Sequence, residues 1–286
     1  MEVIEEFIKG KYEKQELCED AIVVSENFIA VIDGVTSQEN YCSGKALGKI
    51  ISDILKNIIP TIPEKNSCEE AINYLNEKIL EEYKKEGIYD LIKDDPRKQP
   101  AASVVIYSKF YNQIWMIGDC KALYGNNIID NELEVDIMYA KLRKILIEYL
   151  LETGYTEDEL LEDDITRKFI DETTKRQPLI RNKRFYGKYD YVSIDGFSKL
   201  DKELIEIVDV PKDVTEITFC TDGYRKIFAT LKECEEYNEH VKKEDPLCYK
   251  EYWHERGFAK NQESYDDRAY ICLLYTSPSP RDGATS

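Results

Sequence analysis

Three apolar runs in this chain each end on an aspartate beside a glycine, and that arrangement narrows what the chain can become. They are Phe28-Ile-Ala-Val-Ile-Asp33-Gly34, Ile114-Trp-Met-Ile-Gly118-Asp119 and Ile217-Thr-Phe-Cys-Thr-Asp222-Gly223. An aspartate that follows a buried strand is oriented by rigid backbone, and the adjacent glycine lets a ligand approach the main chain. A fourth segment, Ser264-Tyr-Asp266-Asp267-Arg-Ala-Tyr-Ile271, sets its acids just before a strand, and Glu19-Asp20 precedes the strand-like run 21–24. A single such aspartate is usually a turn. Five acidic clusters at strand edges point to one shared rim. Carboxylates gathered there repel one another unless cations neutralise them, so the expected occupant is a hard divalent ion with oxygen ligands.

The spacing between these segments predicts how the chain is built. Runs 21–24 and 28–32 form a hairpin through Ser25-Glu26-Asn27. A helix over 43–59 carries Leu47, Ile50, Ile51, Ile54, Leu55 and Ile58 at helical spacing and ends at Pro60. Ser67 and Glu70 form a capping box for a second helix that stops at Gly87. Strands follow over 101–107 and 113–117, then a hairpin from Leu123-Tyr124 to Ile128-Ile129. Residues 134–175 read as helix, with Ile137, Leu142, Ile145, Leu146 and Tyr149 as the periodic set. Strands are expected again over 189–194, 204–208 and 216–220, helices over 225–243 and 246–256, and a last strand from Ala269. Strand hairpins with helix pairs between them predict an α+β layered domain rather than a doubly wound parallel sheet. With 286 residues and no evident linker, one domain over 1–271 is expected, with a helical and basic insertion at about 134–185.

Charge and motifs exclude several classes. Lys+Arg 39 against Asp+Glu 57 leaves a net charge of −18. Such a surface repels nucleic acid and anionic lipid, so neither is an expected partner. No apolar run approaches the roughly 20 residues of a membrane span. The polar N-terminus is unlike a signal peptide, and the eight cysteines contain no C-x-x-C, so reduced thiols in a cytoplasmic protein are expected. The two histidines, His240 and His254, do not form a zinc-hydrolase pair and read as surface or packed residues. Cys220 precedes Arg225 by one residue too few for a cysteine-phosphatase loop, and no nucleotide-binding P-loop is present.

The ordered set Glu19-Asp20, V-I-D-G at 31–34, I-G-D at 117–119, C-T-D-G at 220–223 and D-D-R-A-Y at 266–270 resembles the type 2C metal-dependent protein phosphatases, of the bacterial type. The resemblance runs from about residue 15 to residue 271. It implies a four-layer α-β-β-α sandwich of two antiparallel sheets flanked by helix pairs. It further implies that Asp33 bridges two Mg²⁺ or Mn²⁺ ions, one of them also bound by the Gly34 carbonyl, while Asp222 and Asp266 hold the other. Glu19 and Asp20 would act through water, and Asp119 with Asp222 would form a weaker third site. Asp33, Asp222 and Glu19 are thus the expected catalytic residues, with Asp267 as the fallback for Asp266. The implied reaction is hydrolysis of phosphoserine or phosphothreonine in a phosphorylated protein substrate, by a bridging water whose pKa the two ions lower.

Two features depart from that family. An arginine that clamps the substrate phosphate often stands four residues before the Glu; here that position is Gln15, with Lys14 beside it. Val35 stands where many eukaryotic relatives have a histidine. A replacement cation is expected from Lys14 or from the basic stretch Lys175, Arg176, Arg181, Lys183, Arg184 and Lys188, with Arg181 and Arg184 as the candidates. That stretch is either an anion-binding flap or a solvated loop edge, and the helices over 134–175 read as a solvated insertion. The competing reading is a catalytically weak phosphatase-like module that binds or senses.

Residues 272–282, CLLYTSPSPRD, resemble a translated sequencing-library adapter. The natural chain is therefore expected to be cut near Ile271, and 272–286 to be a non-native, disordered tail.

Overall fold

The computed structural model of the chain describes residues 2–36, 40–41, 45–184, 186–259 and 262–274. The described strands are β1 (Glu2–Lys9), β2 (Ala21–Val24), β3 (Phe28–Gly34), β4 (Asn40–Tyr41), β5 (Lys45–Ala46), β6 (Ala102–Ser108), β7 (Gln113–Ile117), β8 (Lys121–Tyr124), β9 (Asn127–Asp130), β10 (Glu206–Asp209), β11 (Glu216–Cys220) and β12 (Arg268–Leu274). The helices are α1 (Leu47–Ile58), α2 (Cys68–Lys85), α3 (Tyr89–Ile92), α4 (Glu134–Glu152), α5 (Glu157–Glu162), α6 (Ile165–Thr174) and α7 (Leu231–Glu244).

Two five-stranded antiparallel sheets, ordered β1-β12-β11-β8-β9 and β10-β7-β6-β3-β2, stack face to face. Between them lie Val31, Val105 and Met116 from one sheet and Phe219, Ala269 and Ile271 from the other. The alternate residues of the same strands, Phe28, Ala30, Ile32, Val104 and Ile106, pack outward against α1 and α2. Both faces of β3 are therefore dry, which is why 28–32 is a continuous apolar run rather than an alternating one. On the far face of the other sheet, Cys220, Tyr270 and Cys272 meet Cys234 of α7. The four-layer order is as expected, with α1 and α2 on one side and α7 on the other. Ser67 and Glu70 form the expected capping box at the start of α2.

Several elements differ from expectation, each for a local reason. Strand β1, an edge strand paired with β12, has an alternation diluted by glutamates and was not expected. Residues 189–194 form no strand beyond a single bridge from Ile194 to Ala102. The Asn182 side chain instead takes the Ser193 N–H at 2.9 Å and donates to the Ser193 carbonyl at 3.0 Å, which satisfies that backbone without a sheet neighbour. Residues 246–256 are not helical: the buried Asp245 carboxylate accepts the N–H groups of Tyr249, Lys250, Glu251 and Tyr252. On α4 the buried face is Val135, Tyr139, Arg143, Ile147 and Leu150, whereas Ile145 and Tyr149 are 61% and 65% exposed. The periodicity of apolar residues misled because the residue at the centre of the buried face is an arginine.

Strand β12 passes the expected boundary at Ile271, with Cys272 and Leu273 buried before it ends at Leu274. Residues 275–286, and the expected helix start at Ser43, lie outside the described residues. The seven described cysteines are free and buried. Among the described residues no helix is long and apolar enough to cross a membrane.

Candidate metal and phosphate site

The ends of β3, β7 and β11 and the start of β12 come together at one rim of the sandwich, and a cleft of about 420 Å³ opens there. Asp33, Asp119, Asp222 and Asp266 all line it. Gly118 takes φ +92, a backbone bend that brings Asp119 to the Ser103 hydroxyl just after β7. Glu19 and Asp20 lie buried behind the rim. The Glu19 carboxylate accepts from Thr36 Oγ1 at 2.7 Å, and Asp20 accepts from Thr221 Oγ1 at 2.7 Å.

The inner acids are uncompensated. Asp33, Asp119 and Asp222 have no salt-bridge partner among the described residues, and Asp33 and Asp222 lie close enough for the charge of one to bear on the other. Burial, then the charges of Asp266 and Asp119, push Asp222 up to about 7. Burial followed by the Asp222, Asp20 and Asp119 charges raises Asp33 well above the ordinary range, and burial also raises Asp119, Asp20 and Glu19. Each is a carboxyl in want of positive charge.

Asp266 is in the opposite condition. Lys11 Nζ stands 2.7 Å from its Oδ1 and Arg256 Nη1 2.8 Å from its Oδ2. Burial opposes ionisation of Asp266, and these two charges overcome it, so its pKa falls below the usual carboxylate range. The neighbouring Asp267 is structural: it accepts the N–H groups of Lys11 at 2.7 Å and Glu19 at 2.8 Å and ties β12 to the segment ahead of β2. Of the two adjacent acids, the first faces the cleft.

The expected donor set therefore divides. Its chemistry, all oxygen, fits a hard divalent cation at Asp33, Asp119 and Asp222, and Glu19 Oε1 is buried with no hydrogen-bond partner. The Gly34 carbonyl faces Gly48 at the start of α1. At Asp266 both oxygens already carry cationic side chains. Among the described residues no three acidic, histidine or cysteine side chains form a ready-made coordination shell. The set is gathered at one rim but is not drawn together as a shell.

The expected phosphate-binding residues fare less well. Arg181 lines the cleft, but its Nη2 donates to the Pro96 and Gln99 carbonyls at 3.3 Å. Arg184 points away into ion pairs with Asp201 and Glu203. Lys14 is exposed and is not among the residues lining the cleft. The cations that touch the acids, Lys11 and Arg256, were not among the candidates. Nothing in their sequence neighbourhood marks them, since each reaches the rim from a loop.

The helical insertion lines the cleft instead of standing in solvent. Asp136 of α4 faces Glu255, Asp119 and Asp222, and burial followed by those charges raises it well above the ordinary range. His254, Glu255 and Arg256 also line the cleft. Burial drives the His254 imidazole down to about 4, so the ring is neutral at neutral pH. Its Nδ1 accepts the Arg256 N–H at 3.1 Å, leaving the ring proton on Nε2.

No family model and no curated protein matches the chain. Similar solved structures include a bacterial serine phosphatase, at 14% identity over 98% of this chain and 99% of that one, with a TM-score of 0.46. The serine/threonine phosphatase Stp1 from Staphylococcus aureus is similar at 12% identity over 97% and 96%, with a TM-score of 0.49. The Mycobacterium tuberculosis serine/threonine phosphatase PstP/Ppp is similar at 11% identity over 96% and 100%, with a TM-score of 0.46. At these identities and TM-scores the likenesses bear on neither activity nor substrate.

Proposed function

We propose that the chain is a divalent-metal-dependent phosphomonoesterase acting on phosphoserine or phosphothreonine in proteins. One observation carries the reading. Asp33, Asp119 and Asp222 converge from strand ends of two different sheets into one cleft, uncompensated and short of positive charge. Asp33, Asp119 and Asp222, with the Gly34 carbonyl, would hold Mg²⁺ or Mn²⁺. Glu19 and Asp20 stand behind them, and Asp266 is a fourth carboxylate at the edge. Such a cation, when bound, supplies an activated water and neutralises charge on a phosphate ester.

The remaining work falls to the chain's own residues. Burial and mutual charge disfavour ionisation of Asp33 and Asp222, and a bound cation would favour their charged forms. Lys11 and Arg256 keep Asp266 ionised and fixed. Lys98, Lys175 and Arg176 line the same cleft as the acids, which supports an extended anionic substrate such as a phosphopeptide.

A second reading has its own observation. With Lys11 and Arg256 seated on Asp266 and no ready-made shell, the cleft suits a catalytically weak module that binds phosphorylated ligands. Phosphate release from p-nitrophenyl phosphate and from a phosphothreonine peptide, with Mn²⁺ and with EDTA, separates the two. Turnover that requires Mn²⁺ and favours the peptide is expected. Absence of Mn²⁺-dependent turnover on both substrates defeats the enzyme reading, and Mn²⁺ binding without turnover leaves the module.

A further inference from the structure

We infer that Arg256 is the phosphate-binding residue of the cleft, supplying the cation missing at Gln15, and that the α4–α6 insertion holds it in position. The inference rests on the phosphatase reading above and names a group of that same site.

Arg256 lines the cleft and its side chain is 24% exposed. Nη1 donates to Asp266 Oδ2 at 2.8 Å and Nε to Glu255 Oε1 at 2.9 Å. Its Nη2 has no hydrogen-bond partner among the described residues. A guanidinium carries five N–H donors in a rigid fork, so one gripped by two carboxylates is oriented and still has donors for a third anion. A phosphate dianion approaching Asp33 and Asp222 meets like charge, and Arg256 is where that repulsion is offset. Lys11 also neutralises Asp266 but is not among the residues lining the cleft. Arg225, a further cleft-lining arginine, pairs with Glu132, whereas Arg256 is the arginine whose charge acts on Asp222 and Asp266.

The loop that carries Arg256 is pinned from the insertion. Arg143, fully buried on α4, donates through Nη1 to the carbonyls of Leu247 and His254. Arg167 on α6 donates to the Glu255 carbonyl at 3.0 Å and to its Oε1 at 3.1 Å. Residues 254 and 255, immediately ahead of Arg256, are thereby held by side chains from outside their own segment. This accounts for two arginines turned inward from an insertion that otherwise reads as solvated. Arg143 and Arg167 are positioning residues, and Arg256 is the one that would touch substrate.

The test is binding of inorganic phosphate to Mn²⁺-treated protein by calorimetry, alongside KM and kcat for p-nitrophenyl phosphate. Wild type is compared with Arg256→Gln and Arg256→Lys. Loss of a charge-assisted bond predicts phosphate binding weaker by roughly ten- to hundredfold in Arg256→Gln, with KM rising in step. Arg256→Lys keeps the ion pair to Asp266 and therefore the fold, and should recover only part of the loss because a point charge does not reproduce the fork. Mn²⁺ binding should not weaken in either variant. Phosphate binding equal to wild type in both variants, or loss of Mn²⁺ binding in step with phosphate, overturns the inference. Wild type that binds phosphate through Arg256 but never turns over would sink the phosphatase reading while leaving this one standing.

Discussion

Asp33, at the end of β3, faces Asp222, just beyond β11, and after burial the Asp222 charge does most to hold the Asp33 carboxyl above the ordinary range. One strand belongs to each sheet, so the two halves of the sandwich meet at two groups that repel if both are ionised. The rim is a place where the fold accepts electrostatic cost.

That cost sets a pH dependence. Asp222 is raised to about 7, and Asp33, Asp20 and Asp119 are raised with it. Around neutrality the folded state holds protons the unfolded chain has released, so raising pH favours unfolding. His254, lowered to about 4, acts in the opposite sense, but only below its unfolded value of about 6.5. Between about pH 6.5 and 8 the raised carboxyls, Glu19 among them, act in one direction, and Tm in EDTA should fall as pH rises. Mn²⁺ should offset the fall. Thermal melts across that window check this, and a flat or rising Tm in EDTA contradicts it.

Replacing one of the paired acids should reveal the same cost. Asp33→Asn removes a buried acid whose ionisation is opposed by Asp222, Asp20, Asp119 and Asp266, so the variant should melt at higher temperature than wild type in EDTA. With saturating Mn²⁺ the order should reverse, because only wild type gains the ligand's stabilisation. Melts of both proteins in the two conditions decide it. Equal Tm in EDTA would mean that the pair is not under repulsion.

The strand-to-aspartate grammar was enough to find Asp33, Asp119, Asp222 and Asp266, because strands are local and their ends point where the backbone dictates. The two-sheet sandwich followed from the same runs. Lys11, Arg256 and Asp136 could not be found that way. Arg256 reaches the rim on a loop folded around Asp245, and Lys11 on the turn after β1. Asp136 depends on how α4 docks. Arg143 was hidden for a related reason: a pattern of apolar residues discounts an arginine, although here it is a fully buried contact of its helix with the neighbouring loop. Arg184 was misassigned because a basic stretch in an acidic chain drew attention, whereas its charge is spent on Asp201 and Glu203.

Arg143→Met should be strongly destabilising. It would remove the buried guanidinium that donates to Asp164 Oδ2 and to the Leu247 and His254 carbonyls. Breaking a buried charged contact on one side costs about 3–5 kcal/mol. Urea denaturation measures it, and a change below about 1 kcal/mol would mean that the insertion does not depend on this arginine.

Gly34→Ala tests the close approach behind the rim. A Cβ there would lie 2.3 Å from the Gly48 carbonyl oxygen and 2.6 Å from that of Glu19, both of them backbone atoms. Either β3 or α1 must shift, with a cost of roughly 1–3 kcal/mol or more and displacement of Asp33. A folded variant with wild-type stability would contradict the packing described.

The most direct test of the central claim is a Mn²⁺ titration of phosphate release from a phosphothreonine peptide, with wild type beside folded Asp33→Asn. Saturable Mn²⁺-dependent release by wild type, abolished by EDTA and reduced at least about a hundredfold in the variant, is the predicted result. Release that ignores Mn²⁺, or that survives the loss of Asp33, would show that these carboxylates serve some purpose other than phosphate ester hydrolysis.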